Sequence, residues 1–444
     1  MRMTTVVLAL LTGMLAGPAL ADETQTAAQK ILGELKGSML ALRYTIRDDE
    51  QREEQVEGMA VCVDAAKAVF LTASISNRIP LANMGNFRLA SPEAEQTELK
   101  AELLGIDNEL GIAFLRCIEQ GSFRALTFSP AGELAPAQPL LGVGLLARQA
   151  GYQPFVDPTR VSARLRLPEE AVMVSEPFLA NTSALIFDFS GKAIGVVQPG
   201  RMQGGTFFTP TEEFAFLLGD VPAGGKSRRP AWLGAVEFDG LTRAEELMLS
   251  LQNRTAIRVR GIVPGQAAEK AGMKEGDLIV TMNGQPVERF ASPEVTARAM
   301  LRQISRMKPG QQVQLGVLRE GREAPLTVTL GTSPTPLTET ARAYVRPMGL
   351  AMREMVLIER YVRKMTDAQQ GVIVDYVRQD SPVAKTLQAG DVILRVNQQA
   401  TPDVATAAKV MEAEAVNAQV KQLALDIIRG PEARTVTIDK AQPQ

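Results

Sequence analysis

The chain of 444 residues contains no histidine, and this limits the acid–base chemistry that its hydroxyl side chains could carry out. Histidine is the usual general base beside a nucleophilic serine because its unperturbed pKa, about 6.5, lets it accept and return a proton near neutral pH. A serine hydroxyl without such a base is a weak nucleophile. Composition alone therefore excludes a Ser-His-Asp triad.

Metal chemistry is also limited by the side chains available. Only two cysteines, Cys62 and Cys117, occur, both in apolar segments that are typical of strands. In an oxidising compartment they could form a disulfide, and two buried free thiols are the alternative. Without histidine, two thiols do not form a zinc-site pattern. We expect no metal and no cofactor.

The charge balance gives no indication of nucleic-acid binding. The formal net charge is −2, and the apolar share of 45% is ordinary for folded domains. The one basic run, Lys226, Arg228 and Arg229, is too short for a nucleic-acid surface and indicates a solvated linker. A length of this size suits two or three domains.

The N-terminal segment has the three parts of a secretory signal. A basic start and a short apolar run precede the small-residue end Ala19-Leu20-Ala21. We predict a signal peptide over residues 1–21, with a short N-terminal anchor as the alternative. No other segment could cross a membrane, so the mature protein is expected to be exported and without a membrane span.

Residues 22–220 are rich in short apolar runs separated by turn residues, a pattern that favours an antiparallel barrel or sandwich. The exceptions are helical spacing over Thr26 to Leu35 and a second helix with Thr211 as its predicted N-cap. Proline, glycine and charged residues over 221–230 predict a linker.

The rest of the chain contains an internal repeat. The segment Val263 to Ile279 recurs as Val377 to Ile393, and each copy contains Gly-Asp before an apolar strand. Each copy continues into a helix with a predicted cap, at Ser292-Pro293 and at Thr401-Pro402. Each then closes with a charged hairpin. The repeat therefore predicts two homologous domains of roughly 100 residues.

Both copies resemble the PDZ domains of bacterial HtrA-family proteases, through the Pro-Gly-x-Ala-Ala-x-x-Ala-Gly-x-x-x-Gly-Asp-x-Ile motif that begins after Val263. The resemblance implies PDZ domains over 231–333 and 342–441, each binding a peptide or protein C-terminus as an added strand. The expected peptide-binding residues are Trp232, Leu233, Gly234 and Ala235 in the first copy and Gly349, Leu350 and Ala351 in the second. A groove blocked by a neighbouring segment is the alternative for each.

The first block is similar to the trypsin-like domain of the same family. Ala180 to Gly195 resembles the nucleophile segment, Phe70 to Ser76 the segment that carries the catalytic histidine, and Asp107 to Leu115 the segment that carries the aspartate. The resemblance places Ile75, Gly111 and Thr182 at the base, orienter and nucleophile positions. A slip of one residue would put Ser183 at the nucleophile position instead.

The resemblance implies a mainly β fold with α+β modules, in which a degenerate trypsin-like double β-barrel precedes two PDZ domains. It also implies a location in the periplasm or cell envelope after export across the inner membrane. Because the triad and the glycines around the nucleophile are altered, we predict that the protein is not an enzyme. We expect it to bind peptides as a scaffold, adaptor, regulator or holdase, with an active HtrA-type protease or an envelope protein as a further partner.

Two alternatives stay open. One is an active envelope serine or threonine endopeptidase with a histidine-free mechanism, in which Lys67 or Lys192 would be the base, although their spacing does not support it. The other is a regulatory subunit of an active HtrA-type protease.

Overall fold

The computed structural model describes residues 16–92, 97–166, 169–175, 183–198, 205–366, 368–417 and 419–439. They form two compact units, divided between Arg228 and Arg229, and the segments Ile46–Glu54 and Arg78–Met84 belong to the second unit. Within these ranges, no helix combines the length and the hydropathy needed to span a bilayer.

The first barrel is built from the first six strands. They are β1 (Met39–Arg47), β2 (Glu53–Asp64), β3 (Val69–Thr72), β4 (Met84–Ala90), β5 (Glu98–Asp107) and β6 (Ile112–Cys117). Their order is β5-β4-β1-β2-β3-β6, and the ring closes because β5 also pairs with β6. Apolar side chains on the inner face, such as Val61, Leu71 and Phe114, are almost fully buried.

The second barrel is closed in the same way by the next six strands. They are β7 (Pro139–Leu145), β8 (Pro154–Arg166), β9 (Glu170–Val174), β10 (Ala184–Phe187), β11 (Ala193–Val197) and β12 (Thr206–Pro210). Their order is β10-β11-β12-β9-β8-β7. The predicted antiparallel barrel architecture of this block is therefore confirmed.

The helices described in the first unit are α1 (Ala16–Leu35) and α2 (Thr211–Gly219). The helix α1 contains the predicted helical segment and buries Ile31 and Leu35 in the core. It also includes Ala21, the last residue of the predicted signal peptide. Thr211 is the first residue of α2 and makes no capping bond, because Pro210 occupies the cap position.

The segment predicted as a solvated linker packs against the first barrel. A short strand, β13 (Lys226–Ser227), pairs in parallel with β5. Arg228 then forms an ion pair with the fully buried carboxylate of Asp107. A buried carboxylate needs a counter-charge, and the counter-charge lies 121 residues further along the chain. The solvated-linker prediction is wrong for Arg228 for this reason.

The second unit contains the two repeats. The first repeat consists of β14 (Ala231–Trp232), β15 (Ala235–Gly240), α3 (Arg243–Met248), β16 (Ile257–Ile262), α4 (Ala267–Lys270), β17 (Leu278–Met282), β18 (Gln285–Pro286), α5 (Pro293–Ser305), β19 (Gln312–Arg319), β20 (Arg322–Thr329) and β21 (Gly331–Thr332). The second consists of β22 (Arg342–Val345), β23 (Leu350–Arg353), α6 (Leu357–Val362), β24 (Val372–Val377), β25 (Val392–Val396), β26 (Gln399–Ala400), α7 (Val404–Val416), β27 (Gln422–Arg429) and β28 (Glu432–Asp439). Each repeat has its own apolar core.

The Gly-Asp step of the repeated motif has a structural explanation. The carboxylates of Asp277 and Asp391 are each 1% exposed. Each accepts two hydrogen bonds from one guanidinium. Arg319 donates both bonds to Asp277 at 2.7 Å, and Arg429 donates to Asp391 at 2.6 and 2.7 Å. Both arginines end the first strand of the closing hairpin, so this ion pair joins the motif to the hairpin in both repeats.

The helix caps differ between the repeats. The hydroxyl of Ser292 accepts a bond from the backbone N–H of Val295, and this confirms the predicted cap of α5. In the second repeat Asp403, rather than Thr401, caps α7, by accepting a bond from the Thr406 N–H at 2.7 Å. Thr401 instead donates its hydroxyl to the carbonyl of Ile393 at 3.1 Å.

Candidate functional site

Two serine hydroxyls from different barrels meet at one point of the first unit. Ser74 follows the end of β3, and Ser183 directly precedes β10. The Ser74 hydroxyl donates to Ser183 Oγ at 2.7 Å. Ser183 is 7% exposed and is the alternative nucleophile position considered from the sequence. Thr182, the preferred nucleophile position, lies outside the described residues.

Ser74 is held by hydrogen bonds from several sides. Its Oγ accepts the backbone N–H of Met59 at 3.0 Å, and its own N–H donates to Thr72 Oγ1 at 3.0 Å. The phenol of Tyr44 donates to the Ser74 carbonyl at 3.1 Å. Burial raises the pKa of Tyr44 to about 12, so this phenol stays protonated and keeps donating at neutral and moderately alkaline pH.

Gly58 provides the space that Ser74 occupies. A Cβ atom added at residue 58 would lie 2.3 Å from Ser74 Cβ and 2.5 Å from its Oγ. We therefore expect Gly58→Ala to displace Ser74 and to lower the free energy of unfolding of the first unit by about 1–3 kcal/mol. Denaturant unfolding followed by circular dichroism measures this change.

The matched control for that substitution is Gly85→Ala in β4. The nearest atom to a Cβ at residue 85 is Thr45 Oγ1 at 3.9 Å, which is ordinary contact distance. Equal unfolding free energies for the two variants would contradict the assignment of Gly58 as the residue that makes room for Ser74.

The predicted base and orienter positions, Ile75 and Gly111, carry neither an imidazole nor a carboxylate. Ile75 is buried, with 3% of its surface exposed. Gly111 adopts a positive φ of 65°, and a Cβ there would point at the amide nitrogens of Gln198 (3.4 Å) and Asn77 (3.9 Å). Gln198 Nε2 also donates to the Gly111 carbonyl at 3.2 Å. Two amide side chains therefore border the orienter position.

Neither lysine considered as a base lies at the serine pair. Lys67 forms an ion pair with Asp64, at 3.2 Å, in the turn before β3, whereas Ser74 follows the other end of that strand. Lys192 follows β10, whereas Ser183 precedes it. A four-residue strand spans about 13 Å, so each lysine and its serine are at opposite ends of a strand.

Both cysteines are free thiols and both are buried. Burial raises the pKa of Cys62 to about 11 and raises that of Cys117 as well, so both remain protonated near neutral pH. Cys117 Sγ lies 3.3 Å from the carbonyl of Glu119, to which it donates. Among the described residues, no group of three or more acidic or cysteine side chains could hold a metal ion.

The predicted peptide-binding loop of the first repeat lies at the start of the edge strand β15. Leu233 and Ala235 are buried in the core of the repeat, and Trp232 pairs with β21. Gly234 has a φ of 82°, and a Cβ there would lie 2.6 Å from the backbone nitrogen of Ala267. Apart from the indole N–H of Trp232, the loop could therefore meet a ligand carboxylate only through its backbone.

The corresponding loop of the second repeat also contains a glycine with a positive φ, but the strand that follows it has an additional neighbouring strand. Gly349 adopts a φ of 59°, and Leu350 and Ala351 begin β23 with little exposed surface. In the part of the chain that the structure describes, β15 pairs with β16 alone, whereas β23 pairs with both β22 and β24. Sequence reasoning missed this extra strand, since Arg342–Val345 is only four residues long.

Comparison with known proteins identifies relatives for both halves of the chain. A family model described as "PDZ domain" matches residues 239–330 and 360–439. A "Probable periplasmic serine endoprotease DegP-like" of Ectopseudomonas mendocina (strain ymp) is 25% identical over 371 residues, 79% of this chain and 74% of the relative. The "Periplasmic pH-dependent serine endoprotease DegQ" of Escherichia coli (strain K12) is 28% identical over 261 residues, 57% of this chain and 52% of the relative.

Solved structures share the fold. The structure of "HtrA-type protease AlgW with decapeptide" matches with a TM-score of 0.53 and 22% identity, and covers 69% of this chain and 99% of that chain. A second structure of this protease, with a tripeptide, matches with a TM-score of 0.53 and 24% identity over 69% of this chain and 98% of that chain.

The prediction that the chain is not an enzyme is wrong. The curated relatives are named serine endoproteases, and these names point to a protease rather than to a protein without enzymatic activity. The inference from the missing histidine favoured loss of activity over the histidine-free endopeptidase that was its alternative. The chain has a trypsin-like double β-barrel and PDZ domains, and in sequence it is similar to DegP-like serine endoproteases.

Proposed function

We propose that the protein is a periplasmic endopeptidase that captures extended peptides or protein C-termini at its first PDZ domain and cleaves them with the Ser183 hydroxyl. The observation that carries the proposal is the 2.7 Å contact between the hydroxyls of Ser183 and Ser74. The names of the relatives support the periplasmic location and the reaction class.

The first PDZ domain is suited to peptide capture because one edge of its sheet is unpaired. Among the described residues, β15 pairs only with β16, and the helix α5 lies beside it. An extended peptide can add to such an edge through main-chain hydrogen bonds, with its carboxylate in the loop at the start of the strand. Gly234 gives the backbone of that loop its positive φ.

The proposed reaction uses hydroxide from the solvent, because the chain contains no imidazole. The Ser183 hydroxyl passes its proton through the Ser74 hydroxyl to a hydroxide ion, which becomes water, since either hydroxyl can donate by rotating its hydrogen. Ser183 Oγ then attacks the scissile carbonyl, and an ester forms as the C–N bond breaks. The leaving nitrogen takes a proton from water, and a second water hydrolyses the ester.

The test is the turnover of a casein substrate by the purified full chain and by Ser183→Ala. A positioned nucleophile is more effective than free water. We therefore expect Ser183→Ala to cleave casein at least about tenfold more slowly than the wild type. Ser190→Ala, in the exposed turn between β10 and β11, is the matched control and should keep the rate. Turnover that is equal in wild type and Ser183→Ala would contradict the role of Ser183.

A further inference from the structure

The two PDZ domains differ at the edge where a peptide would add. In the first, β15 is the edge strand of its sheet. In the second, the chain itself supplies an additional strand, β22, on the outer side of β23 and in contact with α7. The position that is open in the first domain is therefore filled in the second by residues 342–345.

The direction of β22 is that of a bound C-terminal peptide. It runs antiparallel to β23, with Val345 opposite Leu350 and Arg342 opposite Arg353. Its last residue therefore lies beside the loop that contains Gly349, where the carboxylate of a β-augmenting ligand would lie. In place of a carboxylate, the chain continues through residues 346–348 into that loop.

Val345 occupies an apolar site that would suit the terminal side chain of a ligand. It is 0% exposed and belongs to one buried cluster with Leu350 of β23 and Met411 of α7. Burying an aliphatic side chain there is favourable because it removes apolar surface from water. The groove between β23 and α7 therefore favours an aliphatic residue at this position.

The other end of β22 is held by charge. Arg342 forms an ion pair with Asp375 of β24, and its guanidinium also donates to the Leu337 carbonyl at 3.3 Å. The second oxygen of Asp375 accepts a bond from Arg353 at 2.9 Å. Arg353 is mostly buried and is also paired with Glu359 at 2.6 Å. Displacing β22 would therefore remove one of the two arginines that neutralise Asp375.

We propose that β22 is a tethered pseudo-ligand that closes the groove of the second PDZ domain. The ligand that the groove would accept in its place is a peptide with a free carboxylate, an aliphatic last residue and an aromatic residue before it, as in Tyr344-Val345. A tethered segment has an effective concentration in the millimolar range. If the open groove binds a free peptide with a Kd of about 10 µM, competition from β22 would thus lower the apparent affinity of that peptide about 100-fold.

The probe for the test is a fluorescent peptide, Thr-Ala-Arg-Ala-Tyr-Val, which copies residues 340–345 and ends in a free carboxylate. Every protein carries Gly234→Asp, which introduces a Cβ into the tight loop of the first domain and so blocks that groove. Against this background, the test variant combines two substitutions that expel β22. Arg342→Asp places a second negative charge beside Asp375, and Val345→Asp places a carboxylate in the apolar site. Arg346→Asp, at an exposed position next to the strand, is the control for replacing an arginine by an acidic side chain there.

Fluorescence anisotropy should show an about 100-fold gain in probe affinity for the variant with β22 expelled and none for the Arg346→Asp control. Adding Gly349→Asp should abolish the binding, because a Cβ there would lie 2.6 Å from Ser381 Cβ. The proposal is overturned if the protein with β22 intact binds the probe as tightly as the variant with β22 expelled. It is also overturned if that variant is folded and does not bind the probe.

A second measurement on the wild-type chain does not depend on the variant being folded. Hydrogen exchange of residues 342–345 should be slow, as for other paired strands. Exchange at the rate of an unstructured segment would show that β22 leaves the groove open, and would overturn the proposal.

Discussion

Arg319→Met will lower the free energy of unfolding of the first PDZ domain by about 3–5 kcal/mol. The substitution removes the guanidinium that holds both oxygens of Asp277, a carboxylate with 1% of its surface exposed. The cost is large because the carboxylate, which is almost fully buried, then loses the cation that pairs with it. The backbone N–H of Lys274, which donates to Asp277 at 2.8 Å, cannot replace the lost positive charge.

The single tryptophan of the chain, Trp232, lies in β14 of the same domain and makes the measurement specific. Urea unfolding followed by its fluorescence should show the shift for Arg319→Met. Arg322→Met, at the exposed start of β20, is the control and should change the free energy by less than about 0.5 kcal/mol. If the two variants unfold at the same urea concentration, the pair of Arg319 and Asp277 contributes no more to the free energy of unfolding than a surface arginine does.

The rate of casein cleavage will rise about tenfold for each pH unit between pH 7 and pH 9. A serine hydroxyl has a pKa far above this range, so its ionised fraction grows in proportion to the hydroxide concentration. In an enzyme with a histidine base the rate would level off above a pKa near 6.5–7. Initial rates in a series of buffers at constant ionic strength measure the slope, and a plateau above pH 7 would contradict hydroxide as the base.

The groups around the serine pair keep their protonation state over that range. The pKa of Tyr44 is raised by burial to about 12, above its ordinary value of 10. A raised pKa in the folded state means that its contribution to stability is fully present below about pH 10 and is lost between pH 10 and pH 12. The bond from Tyr44 to the Ser74 carbonyl therefore persists at pH 9, and the slope reports on chemistry rather than on unfolding.

The fold could be predicted from local patterns because its signals are local. Short apolar runs between turn residues indicated an antiparallel barrel or sandwich, and the repeat of the Gly-Asp motif indicated two related domains. The motif could not reveal why aspartate recurs. Its partners Arg319 and Arg429 lie about 40 residues further on (42 and 38), in strands whose pairing the sequence leaves open.

The candidate site was harder to predict because its residues come from distant parts of the chain. Ser74 and Ser183 are 109 residues apart, and nothing in either segment indicates that their hydroxyls meet. The resemblance directed attention to Ile75, although its neighbour Ser74 makes the contact. Likewise, Arg228 was taken for a linker residue because its partner Asp107 lies at the end of β5.

The most direct test of the central claim is the ratio of casein cleavage rates of wild type and Ser183→Ala at pH 9, where hydroxide favours the reaction most within the tested range. If the Ser183 hydroxyl is the nucleophile, the ratio is at least about 10, and Ser190→Ala matches the wild type. A ratio of 1, with Ser190→Ala also unchanged, would contradict the proposal that Ser183 cleaves the substrate.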